Sequence, residues 1–211
     1  MKQIIDYTFY LVTCPSISKK GNLFDVKNAV DAGCKIVQYR EKNKTTNEMI
    51  KEAKKIKEIC KKKALLIIDD RIDVALAVGA DGVHIGQDDI SIETARMLLG
   101  KEKIIGLTVH NLKESIDAEK KGVDYIGLAP IFATETKQDS GAPCGPDLIT
   151  EIRKKVNLPI IAVGGIKKEN VNEVISKGAD GVVAVSAVLD SNDIFSEVSK
   201  FIKIIKEVKG K

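Results

Sequence analysis

Eight short apolar runs recur along the chain, and segments of helical period separate each from the next. The runs are Phe9–Thr13, Ile36–Arg40, Ala64–Ile68, Gly82–Ile85, Ile104–Thr108, Tyr125–Ala129, Ile160–Val163 and Val182–Ser186. Several are apolar at consecutive positions, as in Leu65-Leu66-Ile67-Ile68 and Val182-Val183-Ala184-Val185. A strand that is apolar on both faces belongs in a parallel sheet covered on both sides. Between the runs, Met49, Ala53, Ile56 and Cys60 form one helical stripe. Ile194, Val198, Phe201, Ile202 and Ile205 form another.

An internal repeat sharpens this. Ala32-Gly33-Cys34-Lys35, Val78-Gly79-Ala80-Asp81, Lys121-Gly122-Val123-Asp124 and Lys177-Gly178-Ala179-Asp180 each precede an even-numbered run. Each glycine suits the left-handed position just past a helix end. A βαβα unit used four times predicts an α/β fold, a single (β/α)8 TIM barrel over residues 1–211. An open doubly wound sheet is the alternative. The even alternation, with no second-domain shift in composition, favours the barrel.

Charge narrows the partners. The 34 basic and 30 acidic residues leave +4, and the densest basic stretches are Lys61-Lys62-Lys63 and the tail from Lys200. No aromatics interleave with them, so they read as solvated helix faces, and neither nucleic acid nor membrane is an expected partner. No uncharged apolar run approaches the ~18 residues of a membrane span. The first thirteen residues lack a cationic start and cleavage site, so the expected location is cytoplasmic. Cys14, Cys34, Cys60 and Cys144 are scattered and read as buried apolar residues. With His84 and His110 as the sole histidines, a zinc site is not expected.

A barrel's active site gathers at the C-terminal ends of its strands. Gln38-Tyr39-Arg40-Glu41-Lys42 lies there, with Asp69-Asp70-Arg71, Gly86-Gln87-Asp88-Asp89, Thr108, Thr134-Glu135-Thr136-Lys137, Gly164-Gly165 and Val185-Ser186. Arg40, Lys42 and Lys137 facing Asp70 and Asp89 suggest an oxygen-ligated cation, Mg2+, bridging to a phosphorylated small molecule. The Gly164-Gly165 turn and Val185-Ser186 match the usual barrel phosphate site, where backbone N–H groups approach the oxygens. Arg71 and Asp73 read as a structural ion pair, and His84 as a core imidazole bonded to a neighbour. His110 is given no role.

These stretches resemble the thiamine-phosphate synthase family. The resemblance rests on Q-x-R-x-K at Gln38–Lys42, H-I-G-Q-x-D at His84–Asp89 and T-x-T-K at Thr134–Lys137, and runs from about Tyr10 to Leu189. It implies a Mg2+-dependent transferase of thiamine biosynthesis. Such an enzyme joins 4-amino-5-hydroxymethyl-2-methylpyrimidine diphosphate to a thiazole phosphate and releases pyrophosphate. By the same resemblance, Asp70 and Asp89 would hold the metal. Gln38, Tyr39, Arg40, Glu41, Lys42, Asp69, Thr108 and Lys137 would bind the pyrimidine diphosphate, with Arg40, Lys42 and Lys137 catalytic. Thr134, Glu135, Thr136, Gly165, Val185 and Ser186 would hold the thiazole phosphate.

Three departures stand out. Asp69 replaces the family's usual Asn, Thr108 its Ser, and Ala129 its Gly. Asp69 puts a second carboxylate beside the diphosphate, so it is expected to pair with Arg71, Arg40 or Lys42, or to reach the metal through water. The rivals are a thiazole tautomerase-like paralogue, which carries a His just after the sixth strand where this chain reads Ala129-Pro130, and a non-catalytic phosphate-binding sensor. A homo-oligomer is left open.

Overall fold

A computed structural model describes residues 5–136 and 141–210. The strands are β1 (Tyr10–Val12), β2 (Ile36–Tyr39), β3 (Leu65–Asp69), β4 (Gly82–Ile85), β5 (Ile104–Val109), β6 (Tyr125–Leu128), β7 (Ile160–Val163) and β8 (Gly181–Val183). The helices are α1 (Asn22–Asp31), α2 (Thr46–Cys60), α3 (Ile72–Val78), α4 (Ile92–Leu99), α5 (Leu112–Lys120), α6 (Asp147–Arg153), α7 (Val171–Ser176), α8 (Ser186–Leu189) and α9 (Ile194–Lys209). All strands are parallel and lie in sequence order, in ladders of three or four paired residues. A parallel bridge between Phe9 and Val182 closes the ring. A Cβ on Gly181 would sit 1.6 Å from the Tyr7 carbonyl oxygen, so glycine permits the close approach at this seam.

Apolar side chains fill both faces of the sheet. Outside it, the helices bury one stripe each, as Met49, Ala53, Ile56 and Cys60 do on α2 and Val198, Phe201 and Ile205 on α9. Inside it, Tyr10, Ile36, Ile67, Tyr125, Ile161 and Val183 plug the barrel below its mouth. Each fully buried Ile or Leu contributes about 1.5–3 kcal/mol. The starts of α2, α4, α5 and α9 are capped by Thr45, Ser91, Asn111 and Asp193.

The repeated glycines behave as the sequence implies: Gly33, Gly79, Gly122 and Gly178 all have positive φ. In three of the four repeats the next Asp fastens the bottom of the barrel. Asp81, Asp124 and Asp180 accept the backbone N–H of Leu66, Ile105 and Ile160 at 2.7, 2.9 and 2.8 Å. Each also pairs with a cation from the preceding even helix, Lys57, Arg96 or Arg153. Lys35 occupies the matching place in the first repeat.

Most runs match their strands to within a residue at each end, and the last differs more. The last apolar run does not end as a strand at Ser186: β8 stops at Val183, and Ser186 opens the four-residue α8. Val185 has α-helical φ and ψ, and the Val188 and Leu189 N–H groups bond back to its carbonyl.

Candidate active site

The C-terminal mouth of the barrel opens into a cavity of about 460 Å3. Strand alternation decides which predicted residues reach it. Gln38 on β2 and Arg40 just past its end turn inward, and both line the cavity with Lys42. Tyr39 turns outward, is fully buried, and donates its hydroxyl to Glu52 of α2 at 2.6 Å. Glu41 is also buried away from the cavity, accepting the Asn43 N–H at 2.9 Å and pairing with Lys44 at 3.3 Å. Of the five-residue run, the structure therefore brings Gln38, Arg40 and Lys42 to the cavity, but not Tyr39 or Glu41.

The backbone at the end of β3 is aimed rather than relaxed. Asp70 has φ 56°, in the left-handed region that Asp tolerates better than most residues. Its N–H bonds the His84 carbonyl at 2.8 Å, and the Arg71 N–H bonds the Asp69 carbonyl at 2.6 Å. The turn sets Asp69 and Asp70 side by side on the cavity wall. Lys42 bridges them, 3.2 Å from Asp69 and in direct contact with Asp70. Arg40 pairs with Asp69 at 3.5 Å. Of the partners expected for Asp69, the structure selects Arg40 and Lys42. Arg71 instead holds Asp73 at 2.5 Å, as a structural pair.

Burial opposes the charge of two of the mouth's carboxylates. Burial pushes Asp69 above the usual carboxylate range, against the pull of Lys42 and Arg40. Burial also raises Asp89, helped by the neighbouring Asp70, although Asp89 accepts the Gly86 N–H at 2.7 Å. Lys42 stays above its ordinary value despite burial, held by Asp69 and Asp70. Two adjacent carboxylates with oxygen donors are what a hard divalent ion prefers. Mg2+ usually takes one or two carboxylates and completes its shell with water and substrate phosphate. Among the described residues no cluster of three His, Cys, Asp or Glu forms a self-sufficient cage. By that chemistry the oxygen donors of Asp70 and Asp89 fit a hard divalent cation such as Mg2+.

Across the mouth, Gly164 and Gly165 turn the chain after β7 with φ 96° and 64°. A Cβ on Gly164 would lie 2.7 Å from Pro130 Cβ, and one on Gly165 would lie 2.7 Å from the Ala133 carbonyl oxygen. This close approach sets the turn against the loop after β6, where Thr134 and Thr136 line the cavity beside Ala129 and Pro130. Val185 and Ser186 line it from the start of α8. Glu135 does not line it, and Lys137 lies outside the described residues.

The cavity floor holds residues that the sequence reading left out of the site. They are Tyr10, Tyr125 and His84, which line it beside Thr108, a residue already expected in the site. His84 is indeed bonded to neighbours, to Tyr125 and Thr108, both at 2.9 Å. Gln87 donates to the Thr108 carbonyl at 2.6 Å. His110 also lines the mouth, its Nδ1 held at 2.6 Å from the Ala129 carbonyl.

This arrangement can be set beside known proteins. The sequence profile of the family described as thiamine monophosphate synthase matches residues 9–188. The chain belongs to that family. Among its relatives, the thiamine-phosphate synthase of Methanosarcina mazei is 60% identical, covering 97% of this chain and 85% of that one. That of Dictyoglomus thermophilum is 45% identical, covering 97% and 93%. The solved thiamine phosphate pyrophosphorylase of Pyrococcus furiosus superposes with a TM-score of 0.88 at 36% identity, covering 96% of this chain and 97% of that one. The barrel predicted from the repeats is thus the fold of a thiamine monophosphate synthase family member.

Proposed function

We propose that the chain is a transferase of thiamine biosynthesis. It joins 4-amino-5-hydroxymethyl-2-methylpyrimidine diphosphate to 4-methyl-5-(2-phosphoethyl)thiazole, giving thiamine phosphate and pyrophosphate. One observation carries the reading: Arg40 and Lys42 converge on paired carboxylates opposite a double-glycine turn, inside one cavity. Family membership supports it, as do relatives named for the same synthesis.

The chemistry asks little of acid–base groups. The bond between the pyrimidine methylene carbon and the diphosphate oxygen breaks first, leaving a cation that the aminopyrimidine ring stabilises. The thiazole nitrogen then adds its existing lone pair to that carbon. No proton has to leave the nitrogen, so no general base is required. What must be stabilised is the charge on the departing pyrophosphate. Arg40 and Lys42, which line the cavity, would supply this together with Lys137. Thr13 steadies Arg40 by bonding both its backbone N–H and its carbonyl, at 2.8 and 3.0 Å. Mg2+, held by Asp70 and Asp89, would supply Lewis-acid neutralisation of the leaving diphosphate. Gly165, Thr134, Thr136, Val185 and Ser186 would receive the thiazole phosphate through backbone N–H and hydroxyl donors. The same reading puts the protein in the cytoplasm, and no helix among the described residues is long and apolar enough to cross a membrane.

The test is direct. The purified chain, given both substrates and Mg2+, should form thiamine phosphate and pyrophosphate, and chelation should stop the reaction. No product with Mg2+ present would overturn the assignment. Full activity after exhaustive chelation would overturn the metal's part in it.

A further inference from the structure

Beneath the charged mouth, five side chains from five strands form one unbroken hydrogen-bonded chain. Gln38 Nε2 meets the Tyr10 hydroxyl at 3.0 Å, and Tyr10 meets the Tyr125 hydroxyl at 2.8 Å. Tyr125 meets His84 Nδ1 at 2.9 Å, and His84 Nε2 meets Thr108 Oγ1 at 2.9 Å. Burial pushes both phenols above their ordinary value, which keeps them protonated. Gly106 and Gly127 make room for the array, since a Cβ there would lie 2.1 Å from the Tyr125 ring and 3.1 Å from the His84 ring.

The direction of every bond follows from its first member. An amide nitrogen only donates, so Tyr10 accepts from Gln38, and the acceptor that its one hydrogen meets among the described residues is the Tyr125 hydroxyl. Tyr125 must then donate to His84 Nδ1, which leaves the neutral imidazole proton on Nε2, donating to Thr108. Thr108 therefore keeps its hydroxyl hydrogen for the cavity, and Gln38 keeps its carbonyl oxygen. We propose that Tyr10, Tyr125 and His84 are positioning residues that fix this polarity, so that Gln38 faces the substrate as an acceptor and Thr108 as a donor. Resting on the proposed function, this makes the relay the device that selects an aminopyrimidine diphosphate over its 4-oxo analogue. An exocyclic amine donates to the Gln38 carbonyl, whereas an oxo group would confront it with a second acceptor. A site built around a hydrogen bond rejects a mismatched partner strongly, because the buried group is left unpaired.

The experiment has two arms. The chain has two histidines, so 15N-histidine labelling gives two rings, read as neutral tautomers by long-range 1H–15N correlation above the imidazole titration range. His110 Nδ1 faces a carbonyl and must carry its hydrogen, which provides an internal reference for the opposite tautomer. His84 should be protonated on Nε2, and Tyr125→Phe should mix its tautomers. An Nδ1-protonated His84 in the unaltered chain would reverse the polarity and overturn the proposal. In the second arm, kcat/KM is measured with the amino and oxo pyrimidine diphosphates. Tyr125→Phe and Tyr10→Phe should each lower the amino-to-oxo ratio by roughly tenfold, the scale of one hydrogen bond. Equal losses for both substrates would mean a merely structural role and overturn the proposal. An unaltered chain that turns over neither substrate would refute the proposed function instead, while the tautomer arm would still decide the relay.

Discussion

Asp69→Asn tests the charge balance at the mouth. The carboxylate engages Lys42 at 3.2 Å and Arg40 at 3.5 Å. At an effective dielectric near 20, each contact is about 5 kcal/mol of raw Coulomb attraction. Lys42 is 47% exposed, so solvent screening reduces its share toward the ~1 kcal/mol or less of an exposed pair. Removing Asp69 from water offsets much of what remains. The net effect on an incoming diphosphate is nevertheless one-sided, because Asp69 occupies both cations and offers no donor. An amide in its place frees Arg40 and Lys42 and adds an N–H donor worth about 0.5–1.5 kcal/mol. The expected outcome is a KM for the pyrimidine diphosphate lower by about fivefold, a shallower dependence on Mg2+ concentration, and little change in kcat. Steady-state kinetics across a Mg2+ series measures all three. A collapse of kcat would mean that the carboxylate itself takes part in the reaction, and the argument from competition would be wrong.

Four other outcomes are expected. Asp89→Ala should lower kcat by about 10²–10³ while leaving the melting temperature near that of the parent, and near-full activity at low Mg2+ would remove it from the metal site. Lys137→Ala should lower kcat by a similar factor and raise the thiazole phosphate KM much less; a pure KM effect would reject its part in diphosphate departure. Gly165→Ala places a methyl against Phe132 and Ala133 at a positive φ, so it should destabilise the fold by about 1–2 kcal/mol and raise the thiazole phosphate KM. An unaltered melt and unaltered KM would show that the turn has slack. Asp25 on α1 is 2% exposed, its Oδ2 has no hydrogen-bond partner among the described residues, and burial raises its carboxyl above the ordinary value. The folded state therefore holds this proton more tightly than the unfolded one. That stabilisation is complete below about pH 4 and is lost as pH rises through the raised value. Asp25→Asn should match the parent in acid and melt higher near pH 7, by about 1 kcal/mol in stability; equal loss at both pH values would contradict this.

Much of the fold is legible in the sequence because the signals are local and repeated. Leu65 to Ile68 reads as a strand covered on both faces because it recurs in a regular alternation with helical segments, and the four glycines before the even runs mark the helix ends that the structure shows. Val182 to Ser186 misleads for the same reason. An uninterrupted apolar run does not say where a strand stops and a buried helical turn begins, and only the bonds back to the Val185 carbonyl decide it. In the site, charge at strand ends locates Arg40, Lys42, Asp70 and Asp89. A motif read as a block includes Tyr39 and Glu41, which the twofold period of β2 and the turn after it send elsewhere. Tyr10 and Tyr125 stay hidden because an aromatic on an apolar strand is read as core. They are core by burial, but their hydroxyls meet across 115 residues of sequence, a contact that no local pattern encodes. The pairing of Asp69 depends in the same way on side-chain reach between neighbouring strands.

The closure of the barrel has one more consequence. Adjacent strands share ladders of three or four residues, whereas the ring is joined between Phe9 and Val182 by an isolated bridge. Thermal breathing of the cylinder should begin where the fewest backbone bonds must part. Cys14 and Thr13 stand above one side of that join, Val185 and Ser186 above the other, and all four line the cavity. In the proposed function the thiazole phosphate meets Val185 and Ser186 beside that join, so its binding would brace the weakest stave and part of its affinity would be rigidity of the whole cylinder. Substrate occupancy and the integrity of the ring are then two readings of one free energy.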